Sequence, residues 1–412
     1  MKNNKIATLI IFCALFQQNL GAQSILWNQK GNTNAALAVY AVTFSGDGQK
    51  VLSGSECHPA NIRRFNAATG DLEWTYNVGT DFMCIQGVTF SADANMIASV
   101  EELGNILIFN NSGAQPTIAD TIKTGTSYAF AADFSPANDR IAVGASSGKL
   151  NIYALPGGAL VKSVTAHPNF VFSVNYSPDG TMIGSGGTDN KAKIWDANGT
   201  LKFTLTGHTH DVTSVQFTPD NAYLVTAGND GNIKIWSTAD GSLVRNIMAH
   251  NDDIRQIDIS ADGKKIVSAS NDESCKIWSL ETGEWLATFG NANGGIIWSA
   301  AWAPDGNSIV TGTGKGDVIL WDVSGISATH DMSGIMEKVS VFPNPAAEYL
   351  EVMPAPGVEL IYAALLDLDG KLLRMLDPGM GRFIISDLPP GILHLQLQTK
   401  DGKKGIIPFI KN

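Results

Sequence analysis

Hydrophobic and polar positions alternate in short runs along most of this chain, and turn residues cut the runs. Val212–Phe217 (VTSVQF), Ala222–Thr226 (AYLVT) and Asn232–Trp236 (NIKIW) form one such set, separated by Pro219-Asp220-Asn221 and Asn229-Asp230-Gly231. Alternation of period two, rich in β-branched and aromatic residues, predicts half-buried strands, and the intervening dipeptides predict tight turns. The same set recurs. Aligned on the aromatic of the last strand it falls at Phe65, Phe109, Tyr153, Trp195, Trp236, Trp278 and Trp321, spaced by 41–44 residues. The first turn is an independent ruler, running from Gly46-Asp47-Gly48 through Pro178-Asp179-Gly180 to Pro304-Asp305-Gly306. Both rulers count seven units. A repeat of this length built from short strands predicts an all-β, seven-bladed β-propeller, because one small sheet cannot cover its own two faces and radial stacking buries them.

In three units the repeat carries polar residues at fixed places. They are His167, Ser185, Asp189 and Trp195; His208, Thr226, Asp230 and Trp236; and His250, Ser268, Asp272 and Trp278. With Gly207-His208 and Trp195-Asp196, these residues resemble the WD-repeat family of propellers. The resemblance implies that each set forms a buried hydrogen-bonded tetrad. The seventh unit keeps Thr311 and Trp321-Asp322 but has Gly290-Asn291 and Lys315 where His and Asp belong, and units one to three keep the rhythm without the tetrad. That unit also ends without a fourth strand. Gln23–Lys30 resembles the fourth strands of other units and is expected to complete it, closing the ring and removing two open edges.

The pattern differs at both ends. Residues 1–22 carry Lys2 and Lys5, an apolar run from Ile6 to Phe16, and Leu20-Gly21-Ala22, as a secretory signal peptide does. The run is too short to span a bilayer, so no transmembrane segment is expected. Its removal leaves 26 basic and 39 acidic residues. A net charge this negative excludes nucleic acid as a partner, since phosphate contacts need Lys and Arg. The propeller is expected over 23–322 and a small, polar linker over 323–338.

Short alternating strands over 339–412 then predict a small β-sandwich. Phe342-Pro343-Asn344-Pro345, Leu366–Lys371 (LDLDGK), Leu388–Gly391 (LPPG) and a Lys-bearing end resemble the C-terminal sorting domain of the type IX secretion system of Bacteroidetes. Ile392 stands where that family usually has an aromatic. The resemblance implies export through the periplasm, recognition of the tail by the outer-membrane secretion machinery, and release to the medium or attachment at the cell surface.

Candidate chemistry is sparse. No HExxH or paired CxxC occurs, so neither metal nor cofactor is expected. Gly144-Ala-Ser-Ser-Gly148 matches a nucleophile elbow by letters, but that motif needs a strand-to-helix turn and this one joins two predicted strands. Gly312–Gly316 reads as another turn. Asp367-Leu-Asp369-Gly370 lacks the full ligand series of a calcium loop and reads as a hairpin. Cys57 and Cys84 fall on the same side of adjacent units, where a disulfide competes with two free thiols; Cys275 falls in an inner strand and reads as core.

In the WD-repeat proteins that the chain resembles, two positions near the start of each first strand point to the mouth of the central channel, and the resemblance implies the same here. They read Ala38/Tyr40, Cys84/Gln86, Tyr128/Phe130, Phe170/Phe172, Asp211/Thr213, Asp253/Arg255 and Ile296/Trp298. Aromatic and Arg side chains are the usual anchors of binding sites. Tyr40, Tyr128, Phe130, Phe170, Phe172, Asp211, Asp253, Arg255 and Trp298 are therefore the candidate binding residues, with packing between units as the competing role for the rings. The function expected is non-catalytic recognition of a protein, peptide or glycan outside the cell. A propeller hydrolase or lyase, nucleated by His210, Asp211 and Asp253, is the rival, and a structural surface component a third reading.

Overall fold

The computed structural model describes residues 24–30, 38–55, 61–78, 84–113, 115–125, 128–290, 294–326, 339–343, 346–366, 372–377, 379–399 and 404–411. The expected signal peptide, Cys57 and Asp367–Lys371 lie outside them. The chain divides into two compact units, Met1–Ile326 and Ser327–Asn412. Among the described residues no helix is long and apolar enough to cross a membrane.

The described residues of the first unit form seven four-stranded antiparallel sheets. Sheet five shows how the sequence builds one. Val212–Phe217, Tyr223–Gly228, Asn232–Ser237 and Leu243–Met248 pair in chain order. The second turn needs a left-handed residue, and Gly231 supplies it with φ +69°. A Cβ there would lie 2.3 Å from the His250 carbonyl oxygen.

Burial grades across each sheet. In sheet four, the second strand Met182–Gly187 is wholly buried, whereas the outer strand Leu201–Thr206 is mostly exposed. The neighbouring sheet packs directly on the inner strands: a Cβ on Gly186 would fall 2.8 Å from Val212 Cγ1. Between these sheets Ile194, Leu205, Val215, Phe217, Leu224 and Trp236 form one apolar cluster. Each first strand packs against the first strand of the next sheet, and Ile297–Trp302 packs against Val39–Phe44, so the sequence of neighbours closes.

The seventh sheet takes its outer strand from the start of the chain, as expected. Ile25–Gln29 pairs antiparallel with Val318–Asp322, with Trp27 opposite Leu320. Trp27 also reaches sheet one, where its Nε1 donates to the Ala67 carbonyl at 2.8 Å and its ring meets Phe65 at 6.0 Å. The first unit extends past the expected end at Asp322: the Val323 N–H donates to the Asn307 carbonyl at 2.8 Å, and Lys265 Nζ donates to the Ile326 carbonyl at 3.2 Å.

The second unit is two sheets over one core. Val339–Phe342, Tyr349–Pro354 and Arg382–Ile384 form one, and Leu372–Leu376, Leu360–Leu366, Gly391–Thr399 and Lys404–Lys411 the other. Leu350, Val352 and Phe383 of the first meet Leu365, Leu395 and Phe409 of the second.

Candidate functional site: the channel mouth

Every first strand of the ring opens with a β-bulge. The register shifts between Val39 and Ala41, Ile85 and Gly87, Ala129 and Ala131, Val171 and Ser173, Val212 and Ser214, Ile254 and Gln256, and Ile297 and Ser299. The residues skipped are Tyr40, Gln86, Phe130, Phe172, Thr213, Arg255 and Trp298. A bulge leaves its extra residue out of the ladder and re-aims the side chain. All seven line a single cavity of about 470 Å³, enclosed by the first strands of the seven sheets.

The first member of each expected pair does not line this cavity. Ala38 and Cys84 are buried, while Tyr128 (42%) and Phe170 (39%) are exposed beside the channel rings. Phe130 meets Phe172 edge-on at 5.2 Å, Phe170 at 5.4 Å and Tyr128 in a stack at 6.4 Å. Across the channel, Tyr40 meets Trp298 edge-on at 4.8 Å, and the Arg255 guanidinium lies 4.7 Å from the Trp298 ring centre. Arg255 Nε donates to Asn271 Oδ1 at 2.8 Å, with Asp253 3.5 Å from its Nη2. Packing and presentation are thus divided among the rings: Tyr40 and Trp298 brace one another, and sheets three and four present an apolar face.

His210, Asp252 and Asp253 line a smaller cavity of about 270 Å³ beside the channel; Asn229 lines both. Burial raises the Asp211 and Asp253 carboxyls above their ordinary values; His210 opposes the rise in both, and Arg255 opposes it at Asp253. Nδ1 of His210 is 3.2 Å from Thr209 Oγ1. Among the described residues no hydrogen bond or ion pair joins His210, Asp211 and Asp253 to one another.

Deeper in the channel lies a belt that the sequence reading did not single out. Asp133 Oδ2 accepts from the Tyr176 N–H at 2.7 Å and from Asn175 Nδ2 at 3.0 Å. Asn175 Oδ1 accepts from the Phe217 N–H at 2.9 Å. Asp258 accepts from Gln216 Nε2 at 3.0 Å and from the Trp302 N–H at 2.7 Å. Each bond to a main-chain N–H ties one sheet to the next. The two carboxylates face the channel but are surrounded by protein, and that burial pushes Asp133 up to about 7 and Asp258 to about 6. The signal was present as a polar residue at the fifth place of six of the seven inner strands, the seventh having Ala301 there, but a single polar letter within an alternating strand also reads as solvent-facing.

The three tetrads are assembled. His167 Nδ1 meets Asp189 at 2.6 Å and its Nε2 meets Ser185 Oγ at 3.0 Å, and Trp195 Nε1 donates to the same oxygen at 3.0 Å. His208 joins Asp230 at 3.0 Å and Thr226 at 2.8 Å, with Trp236 donating at 2.9 Å. His250 joins Asp272 at 2.8 Å and Ser268 at 2.7 Å, with Trp278 donating at 2.9 Å. The order Asp–His–Ser copies a hydrolase triad, but Ser185, Thr226 and Ser268 are fully buried and already accept the Trp N–H. They are framework, not nucleophiles. Sheet seven keeps the Trp321 Nε1 to Thr311 bond at 2.9 Å.

Within Gly144–Gly148, Gly144 and Ala145 end the strand Arg140–Ala145 and residues 146–148 turn the chain into the strand Lys149–Ala154, with Gly148 at φ +72°. Cys84 is disulfide-bonded, which removes the free-thiol alternative for it, and Cys275 is a buried free thiol.

Compared with known proteins, the chain matches the family "WD domain, G-beta repeat" over residues 158–196, 199–237, 241–279 and 283–322. Each match begins just before the outer strand of one sheet and ends in the third strand of the next, the same offset that lets Ile25–Gln29 close the ring. The chain is similar to human WD repeat-containing protein 3 (32% identical over 113 residues, 27% of this chain and 11% of that protein). It is also similar to WD repeat-containing protein SL1-17 of Schistosoma mansoni (31% over 160 residues, 39% of this chain and 51% of that protein). The matches thus span from about a tenth to about half of these relatives' length.

Proposed function

This chain carries WD repeats, and from that premise we propose that it is a non-catalytic recognition scaffold whose channel mouth docks a protein or peptide. WD repeats favour protein interaction over catalysis. The observation that carries the reading is the apolar face of Tyr128, Phe130, Phe170 and Phe172, whose outer rings stand exposed beside a cavity ringed by seven bulge residues. Exposed clustered aromatics are an uncommon cost on a soluble surface and a common feature of interaction sites. Incubating the full chain with protein and glycan arrays, beside a Tyr128→Ala/Phe170→Ala variant of unchanged melting temperature, tests it. Binding lost in the variant supports the mouth; binding equal in both moves recognition to the blade sides.

The proposed setting is outside the cell. The leader pattern of residues 1–22, the sorting-domain likeness of the tail and the bonded Cys84, a feature of oxidising compartments, support it. In its native host the mature protein should begin at Gln23 on N-terminal sequencing of the surface or medium fraction. Full-length chain confined to the cytoplasm contradicts this setting.

A further inference from the structure

The channel mouth is not uniform around its rim. Sheets three and four contribute the four rings, whereas sheets five and six contribute Asp211, Asp252 and Asp253, with His210 among them. Arg255 is the one fixed positive charge of the expected mouth positions, and Asp253, Asn271 and the Trp298 face engage it. Asp211 and Asp252 have no ion pair among the described residues, so the arc keeps an uncompensated negative charge. Asn229, which lines both the channel and the neighbouring cavity, adds a second observation: its Oδ1 is buried and, among the described residues, accepts no hydrogen bond. A buried acceptor without a donor is costly, and a ligand that brings N–H groups relieves it.

An apolar surface beside unpaired carboxylates and an idle acceptor selects a ligand that joins an apolar group to a cation. Resting on the channel-mouth reading above, the geometry points to a basic polypeptide segment as the occupant. An apolar or aromatic side chain lies on the Phe130/Phe170/Phe172 face, and a neighbouring Lys or Arg enters the arc of Asp211, Asp252 and Asn229. A neutral glycan would use the rings but leave the carboxylates and the Asn229 acceptor unmatched. An acidic segment would meet like charge, which opposes association.

The test uses the full chain and three fluorescent peptides that share one tryptophan and differ at the remaining sites, which are all lysine, all glutamine or all glutamate. The lysine peptide is expected to bind at least about tenfold tighter than the glutamine peptide, and added salt should narrow the gap. Asp211→Asn/Asp252→Asn should erase the gap, while Phe170→Ala weakens both peptides alike. Equal affinity for lysine and glutamine peptides, or a gap that survives the double variant, overturns the basic-segment assignment. If Phe170→Ala still weakens both in that case, recognition at the mouth stands without it. Binding of a neutral oligosaccharide and of no peptide overturns the assignment in favour of a glycan.

Discussion

At the scale of single residues, the chain spends its buried polar groups on two kinds of network with opposite responses to acid. In the tetrads, burial alone would raise Asp230, but the hydrogen bond and charge of His208, with the Thr209 and Asn232 N–H groups, outweigh it and bring the carboxyl to about 2. Asp272 is likewise held well below its ordinary value. Stability from a carboxyl lowered in this way is fully present above its unfolded value near 4 and is lost as the pH falls towards 2. Asp133, raised to about 7 by burial, works the other way: the folded state keeps a proton that the unfolded chain has lost, so stability falls as the pH rises from about 4 to about 7. An Asp133→Asn/Asp258→Asn variant should therefore flatten the neutral side of a stability-against-pH curve and leave the acid side unchanged. Urea melts across that range check both limbs. Thr226→Val keeps the shape of its side chain but strands His208 Nε2 and the Trp236 N–H, and should cost about 2–4 kcal/mol in the same melts. The residues of these tetrads were legible because the repeat aligns four residue types three times over, and the resemblance to WD-repeat propellers implied their bonding. Asp133 and Asp258 were not, since nothing in the letters says which face of an inner strand looks into a channel rather than at water.

At the scale of elements, the bulge does the positioning. Period two was legible, and with it the strands and their turns, because alternation and Pro-Asp-Gly chemistry are local. A bulge inserts one residue without changing composition, so the pairs at each strand start read as two mouth positions. The structure separates them, turning the skipped residue into the cavity and leaving its partner buried or on the rim. The offset of sequence repeat and sheet was legible from the missing fourth strand, and its consequence is a seam. Trp27 belongs to the strand that completes sheet seven and bonds to Ala67 of sheet one, so it bridges the two ends of the ring. Trp27→Ala should cost about 3–5 kcal/mol, read as a lower denaturation midpoint. Deletion of 23–30 should abolish the single cooperative transition; a truncated chain that melts like the parent would contradict the seam.

At the scale of the whole first unit, a closed cycle of sheets turns seven weakly similar repeats into one surface. Sheets one, three and seven, which lack the full tetrad, carry Tyr40, Tyr128, Phe130 and Trp298, whereas sheet four keeps its tetrad and still contributes Phe170 and Phe172. Sequence alone could nominate those rings but could not divide packing from presentation, because that depends on which neighbour each ring meets across the channel. The most direct measurement places a photo-reactive phenylalanine analogue at Phe170 on the mouth and, in parallel, at Leu243, an exposed apolar residue on the outer strand of sheet five. Illumination in the presence of a bound protein partner should crosslink it through the Phe170 position and not through Leu243. Crosslinking through Leu243 with none through Phe170 would contradict recognition at the channel mouth.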